Sequence, residues 1–198
     1  MLKDKIKFLI ILISFFIIPK NSFSIEPNIF VQSTVNRASQ ILSDDISKSE
    51  KIEKLKQVAK DTVDIKGIGF YTLGKYRKEL SDVQKEKYNK LFKTYFLKSF
   101  SSRLAEYTNP KIDVQSQEKL NENYTIVSSV LVATDTRPEV KIQWRIYTKN
   151  SDKPMIRDLI IEGLSLARTQ KEEFGSIIQS NDGNIESLFS SLKKFIDN

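Results

Sequence analysis

Asp158 and Glu162 stand four residues apart beside Gly163 and Ser165, and acid–base chemistry is the first reading such a pair invites. Both alternate with apolar residues in a strand pattern, which would place them on the face of Ile156 and Ile160. That spacing separates them by roughly 13 Å, too far for a glycosidase pair and awkward for one metal ion. Turn and cap chemistry suits them better, since Gly163 permits an unusual backbone and Ser165 can cap a following helix. A carboxylate hydrolase is therefore the least favoured reading. The chain also contains no His and no Cys. Zinc sites, thiol nucleophiles, histidine bases, disulfides and cysteine-linked lipids all drop out. We expect no catalytic residue, no metal and no resident cofactor.

The second informative constellation is apolar. Tyr88, Leu91, Phe92, Tyr95, Phe96, Phe100, Leu104 and Tyr107 recur at helical spacing and form one broad stripe, most of it aromatic. Such a stripe packs a core, or, because rings hold their shape, it walls a cavity.

These residues need elements to position them. Helical periodicity covers Asn28 to Ile46, and a second helix carries Ile52, Leu55, Val58, Ala59 and Val63 behind a Ser47 or Ser49 cap. A short third helix holds Ile65, Ile68, Phe70, Leu73 and Tyr76. Ser81 then starts the aromatic helix, which runs to about Tyr107 before Asn109-Pro110. The period changes to two over Lys111–Leu120, Tyr124–Thr134, Val140–Tyr147 and Met155–Glu162, separated by short turn signals. Helices close the chain over Ser165–Ser180 and Ile185–Phe195. The fold class expected is α+β: helices packed over one twisted four-stranded antiparallel sheet, enclosing an apolar pocket.

The N-terminus sets the compartment. Lys3, Lys5 and Lys7 precede an apolar run from Phe8 to Ile18, Pro19 ends it, and Ser22-Phe23-Ser24 offers a small-x-small cleavage site. This is the layout of a signal peptide over residues 1–24, leaving a single domain over 25–198 and export to the periplasm. Without the leader the chain keeps 28 Lys and Arg against 24 Asp and Glu. A net of +4 does not indicate a nucleic-acid partner and suits transient contact with an anionic membrane surface.

At the Glu162-Gly163-Leu164-Ser165-Leu166 junction, flanked by Asp158, Lys171 and Phe174, the chain resembles the MlaC/Ttg2D family. Leu73-Gly74-Lys75-Tyr76, followed by Ser81, Gln84 and the aromatic helix, carries the same likeness, as does Gln143-Trp144-Arg145. The resemblance spans about Ile25 to Phe195. It implies a periplasmic phospholipid-binding shuttle working between an outer-membrane lipoprotein complex and an inner-membrane MCE-protein/ABC transporter complex. Phospholipid would then be cargo rather than cofactor. Exposing a tail costs about 0.8 kcal/mol per CH₂, so two tails cost on the order of 20 kcal/mol, and a carrier needs a deep apolar cavity to offset it.

On that reading the pocket is lined by Phe70 and Leu73, by Phe92, Phe96 and Phe100, and by the sheet residues Val127, Leu131, Val140, Ile142, Trp144, Leu159 and Ile161. Leu164 and Leu166 would close one end. Ser129 and Ala133, if small residues of the inner face, would leave room for a ligand. A non-catalytic periplasmic adaptor with a filled core is the alternative.

Overall fold

After the first, each α-helix begins where a capping side chain accepts from a backbone N–H that has no helical partner. The computed structural model describes residues 24–198, so the leader, apart from Ser24, lies outside the described residues. Helix α1 (Pro27–Ser43) starts on a proline, which suits a first turn because its lost N–H has no helical partner there. Helix α2 (Lys48–Thr62) is capped by Ser47, which accepts from the Glu50 amide at 3.2 Å. Asp64 caps the short α3 (Ile65–Thr72) by accepting from Gly67 N at 2.9 Å. A 3₁₀ turn over Gly74–Lys78 follows, in place of the end of the third helix expected from periodicity. Helix α4 (Asp82–Leu104) opens with a complete capping box between Ser81 and Gln84.

The strands are β1 (Ile112–Asn121), β2 (Tyr124–Leu131), β3 (Val140–Tyr147), β4 (Met155–Ile161) and β5 (Leu164–Ser165). They form one sheet in sequence order, every neighbour antiparallel. The sheet thus has five strands where four were expected. Glu162 and Gly163, at φ 48° and 83°, reverse the chain so sharply that Leu164–Ser165 pair at once with Ile160 and Ile161. Strand β2 stops at Leu131 rather than Thr134, because Thr134 turns to pair with Arg137 instead of β3. Helices α5 (Leu166–Gln179) and α6 (Ile185–Asp197) complete the chain.

Alternation along β2 and β3 sends Val127, Ser129 and Leu131, with Val140, Ile142, Trp144 and Ile146, to the face covered by the helices. Lys141 and Gln143 point to solvent. In β4 a bulge skips Arg157, so Ile156 opposes Ile146 while Asp158 opposes Arg145. Ile156 and Asp158 both border the helix-covered side, and past the bulge Leu159 and Ile161, opposite Trp144 and Ile142, take that face in place of Ile160.

Helix α4 packs against α2 on one side and α6 on the other. Its first turns are fixed by Tyr88, which is fully buried with its hydroxyl 2.8 Å from that of Thr72. Burial holds the Tyr88 phenol well above the usual tyrosine range. Helix α3 approaches so closely that a Cβ on Gly69 would lie 2.8 Å from the Phe92 ring. A Gly69→Val variant is expected to displace Phe92 and to lose about 2 kcal/mol, read by denaturant unfolding. An unchanged midpoint would show that α3 can back away from the ring.

Candidate functional site

The helical layer does not settle fully onto the sheet. Between them lies a cavity of about 680 Å³. That volume falls in the range of small-molecule and cofactor sites, roughly 300–1,000 Å³. Helix α4 supplies a ladder of rings along one wall. Phe92 and Phe96 have centroids 6.1 Å apart, and Phe96 and Phe100 stack at 5.5 Å with their planes 10° apart. The opposite wall is sheet, from Ile112 and Leu131 through Ile142 and Trp144 to Leu159 and Ile161. Ser129 is buried here and accepts from the Trp144 indole at 2.8 Å, which pins the ring. Ala133 lies beyond the end of β2 and is exposed, so it makes no room inside.

Nine of the residues chosen from sequence line this space: Phe92, Phe96, Phe100, Leu131, Ile142, Trp144, Leu159, Ile161 and Leu166. Five stand elsewhere. Leu73 is solid core and Phe70 packs against that core, because the contact of α3 with Phe92 leaves no gap there. Val127 faces the right way but is entirely enclosed by neighbours. Val140, at the start of β3, is half-buried beside the core. Leu164 is 69% exposed, carried outward by the turn at Glu162-Gly163.

Two further walls were not singled out from sequence. Helices α1 and α2 contribute Val35, Ala38, Leu42, Leu55 and Val58, and helices α5 and α6 contribute Phe174, Ile177, Leu188, Leu192 and Phe195. Their helical periodicity was visible, yet periodicity reports only that a face is covered. It does not distinguish a face covered by neighbours from one covered by a ligand.

The electrostatics are spare. Three charged side chains line the cavity: Arg103, Asp158 and Glu173. Asp158 is 3% exposed and consumed by structure, accepting from Ser165 Oγ at 2.6 Å, from Ala167 N at 3.0 Å and from Arg145 at 3.4 Å. It thus ties the N-terminus of α5 to the sheet. Ser165 in turn caps α5 by accepting from Arg168 N. Glu162 accepts from the backbone N–H of Lys141, so it serves the turn rather than the cavity. Glu173 accepts from Gln170 at 2.7 Å, and Gln170 accepts from the Tyr95 hydroxyl at 2.9 Å, linking α5 to α4. Burial, aided by the nearby Glu173 charge, pushes the Tyr95 phenol up. What remains is a ring-walled apolar space without a positioned nucleophile, suited to holding a hydrocarbon ligand by exclusion of water.

A layer of helices standing off one antiparallel sheet around such a space defines the class: an α+β protein built around an apolar cavity. The chain belongs to the MlaC family, whose profile, described as MlaC protein, matches residues 32–194. It is 24% identical over 135 residues to the intermembrane phospholipid transport system binding protein MlaC of Haemophilus influenzae, a match covering 67% of this chain. The match spans 62% of that relative's length. The fold is shared with a phospholipid-binding protein from Ralstonia solanacearum, solved in complex with a phospholipid. That likeness has a TM-score of 0.73 at 17% identity and covers 87% of this chain and 98% of the other. Membership in this family, together with the cap and turn roles of Asp158 and Glu162, removes the hydrolase reading.

Proposed function

We propose that this chain is a periplasmic phospholipid carrier that holds acyl tails in the cavity between α4 and the sheet. The observation that carries this reading is the cavity itself, about 680 Å³ and walled mostly by rings and aliphatic side chains. A carrier must offset about 0.8 kcal/mol for every CH₂ it removes from a bilayer, and only a large water-free apolar surface does so. The adaptor alternative requires a filled core, and the open volume counts against it. Membership in the MlaC family and the fold shared with a phospholipid complex support the same cargo. We further propose that the carrier moves lipid between an outer-membrane lipoprotein complex and an inner-membrane MCE-protein/ABC transporter complex, after export by the leader over residues 1–24.

Native mass spectrometry of the mature chain from Ile25, followed by organic extraction, tests the central claim. A stoichiometric adduct of phospholipid mass is expected. A bare mass that stays bare after incubation with phospholipid vesicles would overturn the carrier reading.

A further inference from the structure

One end of the cavity holds positive charge that no carboxylate among the described residues pairs with. Of the three charged lining residues, Asp158 and Glu173 are engaged, as described above. Arg103 is exposed and has no ion pair or side-chain hydrogen bond among the described residues. Its place in the last turn of α4 favours a cation through the helix dipole, yet leaves the guanidinium donors free. A second arginine stands beside it in function. The Arg137 guanidinium lies 5.4 Å from the ring centroid of Tyr107, itself a lining residue. Arg137 Nε is enclosed and has no acceptor, and Arg137 makes no ion pair among the described residues. The terminal guanidinium nitrogens, unlike Nε, are not enclosed, and with no acceptor from the described residues they are open to a bound anion.

The depth of the ladder fits these positions. Along α4 the lining residues pass from Phe92, 2% exposed, through the half-buried Phe96 and Phe100 to the exposed Arg103. The eleven steps along the helix from Phe92 to Arg103 rise roughly 16 Å. One leaflet of a bilayer holds its tails within half of a hydrocarbon core of roughly 30 Å, which is about 15 Å. A tail laid against the rings with its end at Phe92 therefore brings its ester and phosphate to the level of Arg103.

We propose that Arg103 and Arg137 form the anion-reading end of the cavity and take the phosphodiester of a glycerophospholipid whose tail lies along the α4 ladder. This inference rests on the carrier reading and adds the part of the cargo that is recognised by charge. Guanidinium groups suit the task because their planar donor forks match phosphate oxygens. The phosphodiester is common to all glycerophospholipids, so the pair discriminates against uncharged diacylglycerol without choosing among head groups.

The test uses delipidated mature protein and two ligands with identical tails, phosphatidylglycerol and diacylglycerol, offered at equal concentration from detergent micelles. Wild-type protein is expected to prefer phosphatidylglycerol, and the preference to fall about tenfold for each of Arg103→Gln and Arg137→Gln. Diacylglycerol loading should persist in the double variant, which also shows that the variant folds. Arg103→Lys should keep part of the preference. An undiminished preference in the double variant would overturn the pair, as would equal loss of both ligands, which would make the arginines structural. Titration with inorganic phosphate separates the two sources of the anion. Tight phosphate binding that survives lipid loading would place the anion site apart from the tail and overturn the assignment. Failure of wild-type protein to load either ligand would instead count against the carrier reading itself.

Discussion

Leu131→Glu protein is expected to fold and to purify with at least a hundredfold less phospholipid than the wild type. Leu131 is 6% exposed, lines the cavity at the last residue of β2, and faces the ligand space rather than solvent. In the empty protein a carboxylate there can be hydrated by water entering the cavity, so folding is spared most of the cost. A tail displaces that water. The carboxylate must then be buried, or take up a proton, and at pH 7 protonating a group of ordinary pKa near 4.3 costs about 4 kcal/mol. Each ~1.4 kcal/mol is a factor of ten, so the expected loss exceeds a hundredfold. The sign of the pH dependence follows: as pH falls through the carboxyl's range the proton comes free of charge cost, and loading should return. Lys141→Gln, on the solvent face of β3, should leave loading unchanged. Quantified phospholipid per protein at pH 7 and at pH 4.5 is the measurement. Full lipid content in folded Leu131→Glu at pH 7 would move the tails away from this end of the cavity.

The second large effect is on stability. Asp158→Ala removes a buried acceptor from Ser165 Oγ, from Ala167 N and from Arg145 at once. Breaking a buried pair in this way costs 3–5 kcal/mol where both partners are enclosed. Here the Arg145 side chain is 35% exposed and can turn to water, which lowers the figure. The Ala167 N–H has no such escape. A loss of about 3 kcal/mol is expected, or roughly 6–12 °C in Tm for a domain of this size. Asp158→Asn keeps an acceptor for Ala167 N and should lose less. Thermal unfolding of the three proteins decides the matter. A Tm within about 2 °C of wild type for the alanine variant would mean that water replaces the carboxylate at the start of α5.

Periodicity reports which residues close in the chain share a face, and little about distant partners. Strand β3 was legible to the residue, because Ile142, Trp144 and Ile146 alternate with Lys141, Gln143 and Arg145 without interruption. The start of α4 was legible from Ser81, and the structure adds Gln84, whose reciprocal hydrogen bonds with Ser81 are local in the chain. The bulge at Arg157 was not. Its cause is long-range: the guanidinium donates to Asp64 at 2.7 Å and to the Tyr124 hydroxyl at 2.8 Å and lies over the Tyr147 ring. Three partners from distant elements hold one residue out of register, and no pattern within β4 announces them. The two-residue β5 escaped for a related reason. Gly163 signalled a turn, but only the φ of 48° at Glu162 makes that turn tight enough for immediate pairing.

The candidate site divides along the same line. By itself the sequence determined that the chain carries no His or Cys chemistry, that its elements run helices, strands, helices, and that α4 presents a continuous aromatic face. These follow from composition and from interactions between residues a few positions apart. Tertiary structure alone decided which apolar residues border open space. Leu73 and Val127 are as apolar as Leu131 and Ile142, yet the first two are sealed by neighbours and the last two face the cavity. The physical reason is that burial free energy depends on water being removed, whether a protein side chain or a ligand removes it. Selection for an apolar side chain is the same in both cases. Only the distance at which α1, α2, α5 and α6 are held from the sheet separates core from cavity.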